Sequence, residues 1–203
     1  MNRKESAAAT RLALIDQAAQ LVDLGGLDAV TLREVGARAG VSRGAPYRHF
    51  ADKGGLLTAV AADGWRRLGD DMRALNNDAK RLPADRLRAA LTQIITLSRQ
   101  RPHLYRLMFR PPEGEPTTVF IAAQRMCDEF ITIVGGVAGN DSAERYAAML
   151  LTGVHGAVGL EMSGLLQTDK WRTTAEELTD NILTLIDDTT SSRPCAQADV
   201  SPE

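Results

Sequence analysis

The chain of 203 residues is 44% hydrophobic and 25% charged, which excludes wholesale disorder, and no apolar run approaches the ~20 residues of a membrane span. Aromatic residues make up only 4%, whereas Ala, Leu, Arg and Glu abound, so the composition favours helices over sheets. The net charge of −2 hides a mild asymmetry, because residues 1–55 carry eight basic against six acidic side chains, which is compatible with a polyanionic partner.

The spacing of apolar residues predicts nine helices and no convincing strand, so the fold class is all-α. In chain order, the predicted helices span about 7–24, 31–39, 42–50, 52–75, 83–101, 102–109, 117–134, 142–165 and 174–188. RPPEGEP (110–116) is predicted to be a loop, and GGVAGND (135–141) a turn between two apolar helices. The polar tail 189–203 has no periodicity and is predicted to be disordered.

Several helix starts are marked by residues that satisfy free backbone N–H groups. Three capping boxes are predicted, in which a side-chain oxygen and a carboxylate three residues later each accept one N–H, and they begin at Thr31, Asp141 and Thr174. The predicted single caps and first-turn prolines are Ser42, Asp52, Pro83 and Pro102.

Residues 31–50 combine two very short helices with a tight turn at Gly40. Helices this short are stabilised by packing, and their apolar residues can face the first helix and the start of the fourth. The second short helix keeps a polar face, made of Ser42, Arg43, Tyr47, Arg48 and His49. A helix-turn-helix with such a second helix is typical of DNA binding in the major groove, whereas the alternative is an ordinary helical corner with a solvated face.

The segment GLDAVTLREVGARAGVSRGAPYRHFADKGGLLTAV, residues 26–60, resembles the N-terminal domain of TetR-family transcriptional regulators. The likeness extends over about residues 10–58, and the matching pieces are the approach to Thr31, the VG and AGVS letters within 35–42, YRHF at 47–50, and Lys53. Pro46 departs from the family pattern, in which an apolar residue such as Leu is usual, so the second short helix is expected to start late or to bend.

A second, looser likeness lies in the C-terminal part. RPHLYRLMF (101–109) and GVHGAVGLEMSG (153–164) are similar to a C-terminal domain subtype of that family with a His-Gly signature. The resemblance implies a DNA-binding domain at residues 1–55, a helical effector-binding and dimerisation domain at 56–188, and a tail at 189–203.

The resemblance also implies roles for individual residues on double-stranded DNA. Arg43 and Ala45 match positions that meet base edges, and Arg33 on the preceding helix can reach the groove as well. Phosphate contacts, which set register without reading sequence, are implied for Thr31, Ser42, Tyr47, His49 and Lys53, with Arg48 on the same face.

The helix at 142–165 is apolar nearly all round, which a surface helix with one buried face would not be. Together with the apolar stripe on 174–188, it predicts a two-fold, four-helix interface in a homodimer. The alternative is a helix that is central within one subunit. The residues predicted at the interface are Gly153, Gly156, Ala157, Glu161, Gly164, Leu178, Ile182 and Leu185.

Family members of this kind bind a small effector, so the resemblance implies an apolar cavity coupled to the long fourth helix. The alternative is that the same Met and Phe residues are simply core. The residues predicted to line the cavity are Leu104, Met108, Phe109, Phe120, Met126, Phe130, Met149 and His155.

No enzyme is predicted, since the three histidines stand in no metal spacing and no Walker loop, strand-borne GxGxxG or nucleophile elbow occurs. The cysteines, Cys127 and Cys195, match neither a disulfide framework nor a metal site, and no cofactor is expected. The predicted function is therefore a cytoplasmic, ligand-responsive repressor released from a palindromic operator by a largely apolar effector. An activator of the same fold, or a helical adaptor that binds only protein, are the alternatives.

Overall fold

Nine α-helices and one short 3-10 turn make up the computed structural model, which describes residues 3–110, 116–166 and 169–191, and no strand occurs within those ranges. The all-α prediction is confirmed. The helices are α1 (Arg3–Gly25), α2 (Leu32–Arg38), α3 (Ala45–His49), α4 (Lys53–Asn77), α5 (Pro83–Gln100), α6 (Pro102–Met108), α7 (Thr117–Ala138), α8 (Asn140–Met162) and α9 (Ala175–Ser191).

Two of the sequence predictions fall on the edges of the described ranges. The predicted loop 110–116 lies outside them except for its two end residues. Residues 189–191 of the tail predicted to be disordered belong to α9, and residues 192–203 lie outside the described residues. Within the described ranges, none of the helices combines the length and the apolar character needed to cross a lipid bilayer.

The N-terminal head consists of α1, α2 and α3, packed on one another and on the first turns of α4. The hydroxyl of Thr31 accepts the N–H of Glu34 at 3.1 Å, as predicted. Glu34 does not complete the capping box, because its carboxylate pairs with Arg38 at 3.0 Å instead. The cap of α4 is confirmed, since Asp52 Oδ1 accepts the N–H of Gly55 at 2.8 Å.

Helix α3 begins three residues later than predicted, at Ala45, so Ser42 is not its N-cap. Pro46 lies in the first helical turn, where its missing N–H leaves no hydrogen bond unmade. Its ring is buried against Gly36 of α2, where an added Cβ would lie 2.6 Å from the proline Cγ. Pro46, which departs from the family pattern, therefore goes with a late start of α3. Gly36 of α2 leaves space for its ring because glycine has no side chain.

In the C-terminal body, α4 packs most extensively on α7, and α7 packs on α8. Helix α7 continues through Gly135 and Gly136, so the predicted turn shrinks to Gly139, whose φ is 78°. The predicted cap at Asp141 is wrong, because α8 begins one residue earlier and its first turn receives no side-chain cap.

The capping box at the start of α9 is confirmed. The hydroxyl of Thr174 accepts the N–H of Glu177 at 3.2 Å, and the Glu177 carboxylate accepts the N–H of Thr174 at 3.0 Å. This reciprocal pair fixes where the last helix begins.

Contacts from α1 join the head to the body. Arg101, just before α6, pairs with Asp23 of α1 at 2.7 Å, and both side chains are 28% exposed. Arg67 of α4 lies 3.7 Å from Asp16, also on α1. The head is thus held by α6 as well as by α4.

Replacing Gly36 with Ala should destabilise the protein, because the new methyl would overlap the rigid Pro46 ring at 2.6 Å. Overpacking of ~1–3 kcal/mol outweighs the gain in helix propensity of up to ~1 kcal/mol, so we expect a net loss on the order of 1 kcal/mol. Urea unfolding of wild type and variant measures the difference.

Gly44→Ala is the matched control, since Gly44 has a negative φ and no atom within 4 Å of an added Cβ. It should leave the free energy of unfolding within about 0.5 kcal/mol of wild type. Adding Pro46→Ala to Gly36→Ala should recover part of the loss, and equal stabilities for Gly36→Ala and Gly44→Ala would contradict the packing account.

Candidate nucleic-acid interface and cavities

Most of the residues predicted to contact DNA lie at or near the surface of the head. Tyr47 is 59% exposed, and Arg33, Arg43 and Arg48 are exposed. His49 and Lys53 are half-buried at the two ends of the short connection between α3 and α4. Thr31 and Ser42 lie exposed just outside α2 and α3. These side chains come from two helices and the connections beside them, so the face is assembled by the fold.

The cations on this face differ from those of the body in having no acidic partner. Within the described ranges, Arg33, Arg43, Arg48 and Lys53 make no ion pair. Most arginines elsewhere are paired with Asp or Glu: Arg38, Arg66, Arg67, Arg73, Arg81, Arg88, Arg99, Arg101 and Arg125. Positive charge on the head is therefore uncompensated and directed outwards, which suits a polyanion.

Ala45, for which a base contact was predicted, is buried at 4% exposure inside the head. Because α3 starts there, its methyl contributes to packing and is withdrawn from the surface. The exposed groove beside it, of about 580 Å³, is lined by Ser42, Arg48 and His49 and also by Ser6 and Thr10 of α1. The prediction missed these two, although the charged letters before residue 7 could have extended the first helix.

The predicted cavity residues separate into three groups. Leu104 lines a cavity of about 300 Å³ between α4, α5 and α6, and Phe109 and His155 line another of about 370 Å³ between α6 and α8. Phe120 and Met149 point outwards, at 57% and 53% exposure. The remaining three are buried and line neither of these cavities: Met108, Met126 and Phe130.

Glycines of α4 explain why two of those methionines are core residues. A Cβ added at Gly64 would lie 2.8 Å from Met108 Sδ, and one at Gly69 would lie 3.4 Å from the Cα of Met126. The thioether of Met108 fills the space beside Gly64, whereas at Gly69 the backbone of α7 at Met126 approaches closely. Met108 and Met126 are therefore core residues, which was the alternative interpretation of the helical spacing of Met and Phe.

An aromatic cluster forms one wall of the cavity between α6 and α8. Phe109 stacks on the His155 ring at 4.1 Å and meets Trp65 of α4 edge-on at 4.9 Å. The Tyr105 hydroxyl lies 2.9 Å from Nδ1 of His155. Burial raises the pKa of Tyr105 and lowers that of His155, so both groups are neutral at pH 7. Tyr105 and Trp65 were not predicted at this site, because single buried aromatics have no sequence signature.

Residues predicted at a dimer interface are divided between the chain's own packing and its surface. A Cβ added at Gly153 would lie 2.6 Å from Ile182 of α9, so this glycine serves contact within the chain. Gly156 and Gly164 have open space around them. The other members are in part buried, with Ala157 at 5% exposure, while Leu178 packs against the core. The side chain of Leu185 lies outside those that the structure describes.

Glu161, predicted as a partner for a second subunit, is bound within its own chain. Its carboxylate accepts hydrogen bonds from Arg99 of α5 at 2.6 Å and from the N–H of Ala175 at 3.3 Å. Arg99 also binds Glu176 of α9. Hydrogen bonds from Arg99 lower the pKa of Glu161 and of Glu176. The three side chains join α5, α8 and α9.

Two protein-family models match the chain. The model described as bacterial regulatory proteins, tetR family, matches residues 14–60. The model described as a tetracyclin repressor-like C-terminal domain matches residues 87–185. Both halves of the fold therefore have counterparts in one family.

A curated relative is the HTH-type transcriptional repressor KstR of Rhodococcus jostii (strain RHA1), 34% identical over 100 residues. The chain spans about half the length of that relative, because the alignment covers 49% of this chain and 46% of KstR. A solved protein of unknown function from Rhodococcus sp. RHA1 is 26% identical, with a TM-score of 0.69 over 89% of this chain and 93% of its own. RolR in complex with resorcinol, at 20% identity, shares the fold with a TM-score of 0.61 over 95% and 97% of the two chains.

Replacing Arg99 with Gln should lower the Tm at neutral pH by about 2 °C, since the guanidinium joins three helices but is partly solvated. The two carboxyl pKa values are lowered in the folded protein. This stabilisation is therefore fully present above the ordinary value of 4.5 and is lost as the pH falls through the lowered values. Thermal melts across this range should show the variant and wild type converging in acid.

Arg81→Gln, which removes an isolated surface pair with Asp78, is the control and should change the Tm less at neutral pH. A difference between Arg99→Gln and wild type that stays constant from neutral pH into acid would contradict the carboxylate account.

Proposed function

This chain belongs to the TetR family of bacterial transcriptional regulators, and from that premise we propose that it is a cytoplasmic, homodimeric repressor released from a palindromic operator by a small aromatic or apolar effector. In this proposal DNA binding belongs to residues 1–55, and effector binding and dimerisation belong to residues 56–188. The proposal has three parts, which rest on different features of the molecule.

The uncompensated positive face of the head carries the DNA-binding part. Arg43 and Arg33 lie exposed on α3's approach and on α2, where a guanidinium can grip guanine bidentately for ~1–3 kcal/mol of discrimination. Tyr47, His49 and Lys53 are placed to hold phosphates and thereby to set the register of α3 in the groove. Because the cations of this face have no acidic partners, they can pair with DNA phosphates. The counterions that the DNA then releases add to the affinity.

The exposed face of α8 supports the dimer. Met149 and Leu160 are 53% and 43% exposed there, and Gly156 and Gly159 have open space where a second helix can approach closely. A two-fold dimer would present two recognition helices about 34–36 Å apart, or a multiple of that distance, matching two half-sites.

Repression and release by an effector follow from relatives and from the cavity. KstR is named as a transcriptional repressor, and RolR was solved with resorcinol, a small aromatic molecule. The cavity of about 370 Å³ at Phe109 and His155 has the size and the apolar walls of a small-molecule site. An effector there would act by binding the released conformation more tightly than the DNA-bound one.

Binding to duplex DNA tests the central claim. After selection of bound sequences from random duplexes, gel shifts should show that Arg43→Ala relaxes preference at one base position by about tenfold or more. Lys53→Ala should instead weaken all sequences alike and reduce the slope of affinity against salt by about one contact. The opposite pattern would mean that the two roles are reversed.

The same gel shifts distinguish the regulator from a helical adaptor. Duplex binding should fall steeply as salt rises, because phosphate contacts release counterions. Arg81→Gln, remote from the head, is the control and should leave binding unchanged. A protein that ignores every duplex at low salt would contradict the regulator and leave the adaptor.

The dimer has a separate test. Wild type at micromolar concentration should sediment with twice the 21.9 kDa of one chain. Met149→Asp should shift it towards monomer, because a desolvated carboxylate opposes the apolar interface. Leu82→Asp, at a residue 68% exposed before α5, is the control and should stay dimeric. A monomeric wild type would contradict the proposal.

A further inference from the structure

The hydrogen bond between Tyr105 and His155 determines which nitrogen of this histidine, a lining residue of the cavity between α6 and α8, carries the hydrogen. Tyr105 is 2% exposed, and within the described ranges its hydroxyl has no partner other than His155 Nδ1. A buried phenol whose hydrogen found no acceptor would lose the free energy of a hydrogen bond. The O–H therefore donates to Nδ1, which must be the unprotonated nitrogen of the neutral ring. Nε2 then carries the hydrogen and is a donor.

Charge around the cavity points the same way. Among the described residues, its lining includes two arginines, Arg106 and Arg110, and no Asp or Glu. Arg106 is exposed and makes no ion pair with any described residue. The hydroxyl of Ser163, also in the lining, already donates to the carbonyl of Leu160 at 2.9 Å. Nε2–H of His155 and the guanidinium of Arg106 are thus a donor and an unpaired cation on lining residues of one cavity.

The flat walls of the cavity select the body of the ligand. The Phe109 ring is 36% exposed, and its stacking on His155 at an interplanar angle of 28° continues a layer of rings. Aromatic rings gain beyond area burial when they stack in an offset or edge-on arrangement. A planar ring can extend this layer without displacing buried side chains.

We propose that this cavity binds an aromatic carboxylate, with its ring on Phe109 and its acid group shared between Nε2–H of His155 and Arg106. The inference rests on the proposed function, because it names the chemical class of the effector. It ranks aromatic cations last, because they would be repelled by the positive charge of Arg106. It also ranks neutral amides below acids, since an amide oxygen can accept from Nε2–H but does not pair with Arg106.

The ligand would be connected to the DNA-binding head through Trp65. The Phe109 ring meets the Trp65 ring at 4.9 Å, and the Trp65 indole N–H donates to the carbonyl of Met108 at 3.0 Å. Trp65 belongs to α4, which follows α3 in the chain after a short connection. A ring that stacks on Phe109 therefore changes the surroundings of an α4 side chain, which gives the binding event a spectroscopic signal.

Fluorescence of a Trp171→Phe variant tests the ligand class. Because the chain has two tryptophans and Trp171 is 59% exposed, this change leaves Trp65 as the reporter. The probes are biphenyl-4-carboxylate, biphenyl-4-carboxamide and biphenyl-4-carboxamidine, which share one shape and differ in charge. The carboxylate should bind at least about tenfold more tightly than the amide, and the amidine should give no saturable change.

Two variants identify the contacts. Arg106→Gln should weaken the carboxylate by about tenfold and leave the amide almost unchanged, while Arg81→Gln alters neither. His155→Gln should bind the carboxylate and the amide with affinities within a few-fold of wild type, because its amide N–H replaces Nε2–H. His155→Leu should lose binding of both. An amidine that binds as tightly as the carboxylate, or an Arg106→Gln variant with unchanged carboxylate affinity, would overturn the inference.

The tautomer can be measured on unaltered protein, so the test does not depend on a variant that folds. Nitrogen-15 NMR of labelled histidine should show His155 protonated at Nε2, and protonation at Nδ1 would overturn the proposal. Gel shifts on the selected duplex distinguish failure of the ligand site from failure of the effector role. Carboxylate binding in the predicted order without release of DNA would support this site and contradict the effector role, whereas specific DNA binding with no probe bound would overturn the site alone.

Discussion

The close approach of helices on either side of α4 is the constraint on which the rest of the structure depends. Gly64 and Gly69 let neighbouring helices come close, since an added Cβ would lie 2.8 Å from Met108 Sδ and 3.4 Å from the Cα of Met126. Between them, the Trp65 indole donates a hydrogen bond to a buried backbone carbonyl. Helices α6 and α7 are therefore seated on α4 at fixed positions, and well-packed interiors resist gradual deformation. Because the first turn of α4 follows α3, the body determines where the recognition helix lies.

Pairing of charges distinguishes the body, where most arginines have an acidic partner, from the polar surface of the head, where Arg33, Arg43, Arg48 and Lys53 have none among the described residues. Asp63 of α4 is 5% exposed and holds two arginines, Arg66 and Arg67, so even a buried carboxylate of the body is satisfied. On the head, Arg43 and Arg48 have no such partner among the described residues. A net charge of −2 does not prevent this face from attracting DNA, because exposed charges act over about a Debye length, ~8–10 Å. The local arrangement of charged side chains, rather than the net charge of the chain, decides the sign of the electrostatic potential that a polyanion meets.

Local chemistry was predictable from sequence, and tertiary packing was not. The caps at Thr31, Asp52 and Thr174 were predicted because each depends on a side chain and a backbone group three residues away. The cap of α3 at Ser42 was predicted wrongly, although Pro46 pointed to a late start, because the exact start depends on the fit of Pro46 against Gly36 of another helix. Helical spacing of Met and Phe could not separate core from cavity, since both need apolar residues at the same period. What distinguishes them is the packing of the neighbouring helices, which the spacing of apolar residues along one helix does not specify.

The short helix α6 links the cavity to the head. Its C-terminal end borders the cavity, and its N-terminal end contacts α1. Beyond its C-terminus, Phe109 forms the cavity wall and touches Trp65. At its N-terminus, Arg101 pairs with Asp23 of α1, and His103 lies 3.4 Å from a Cβ built on Gly26. Arg101 binds Oδ2 of Asp23, whereas Oδ1 is buried and has no hydrogen-bond partner among the described residues, so moving Arg101 away would leave a partly buried carboxylate uncompensated. A helix of seven residues moves as one rigid piece, so a shift of α6 at the cavity acts on α1 directly as well as through α4. The Arg101–Asp23 ion pair thereby joins α1 of the head to the start of α6.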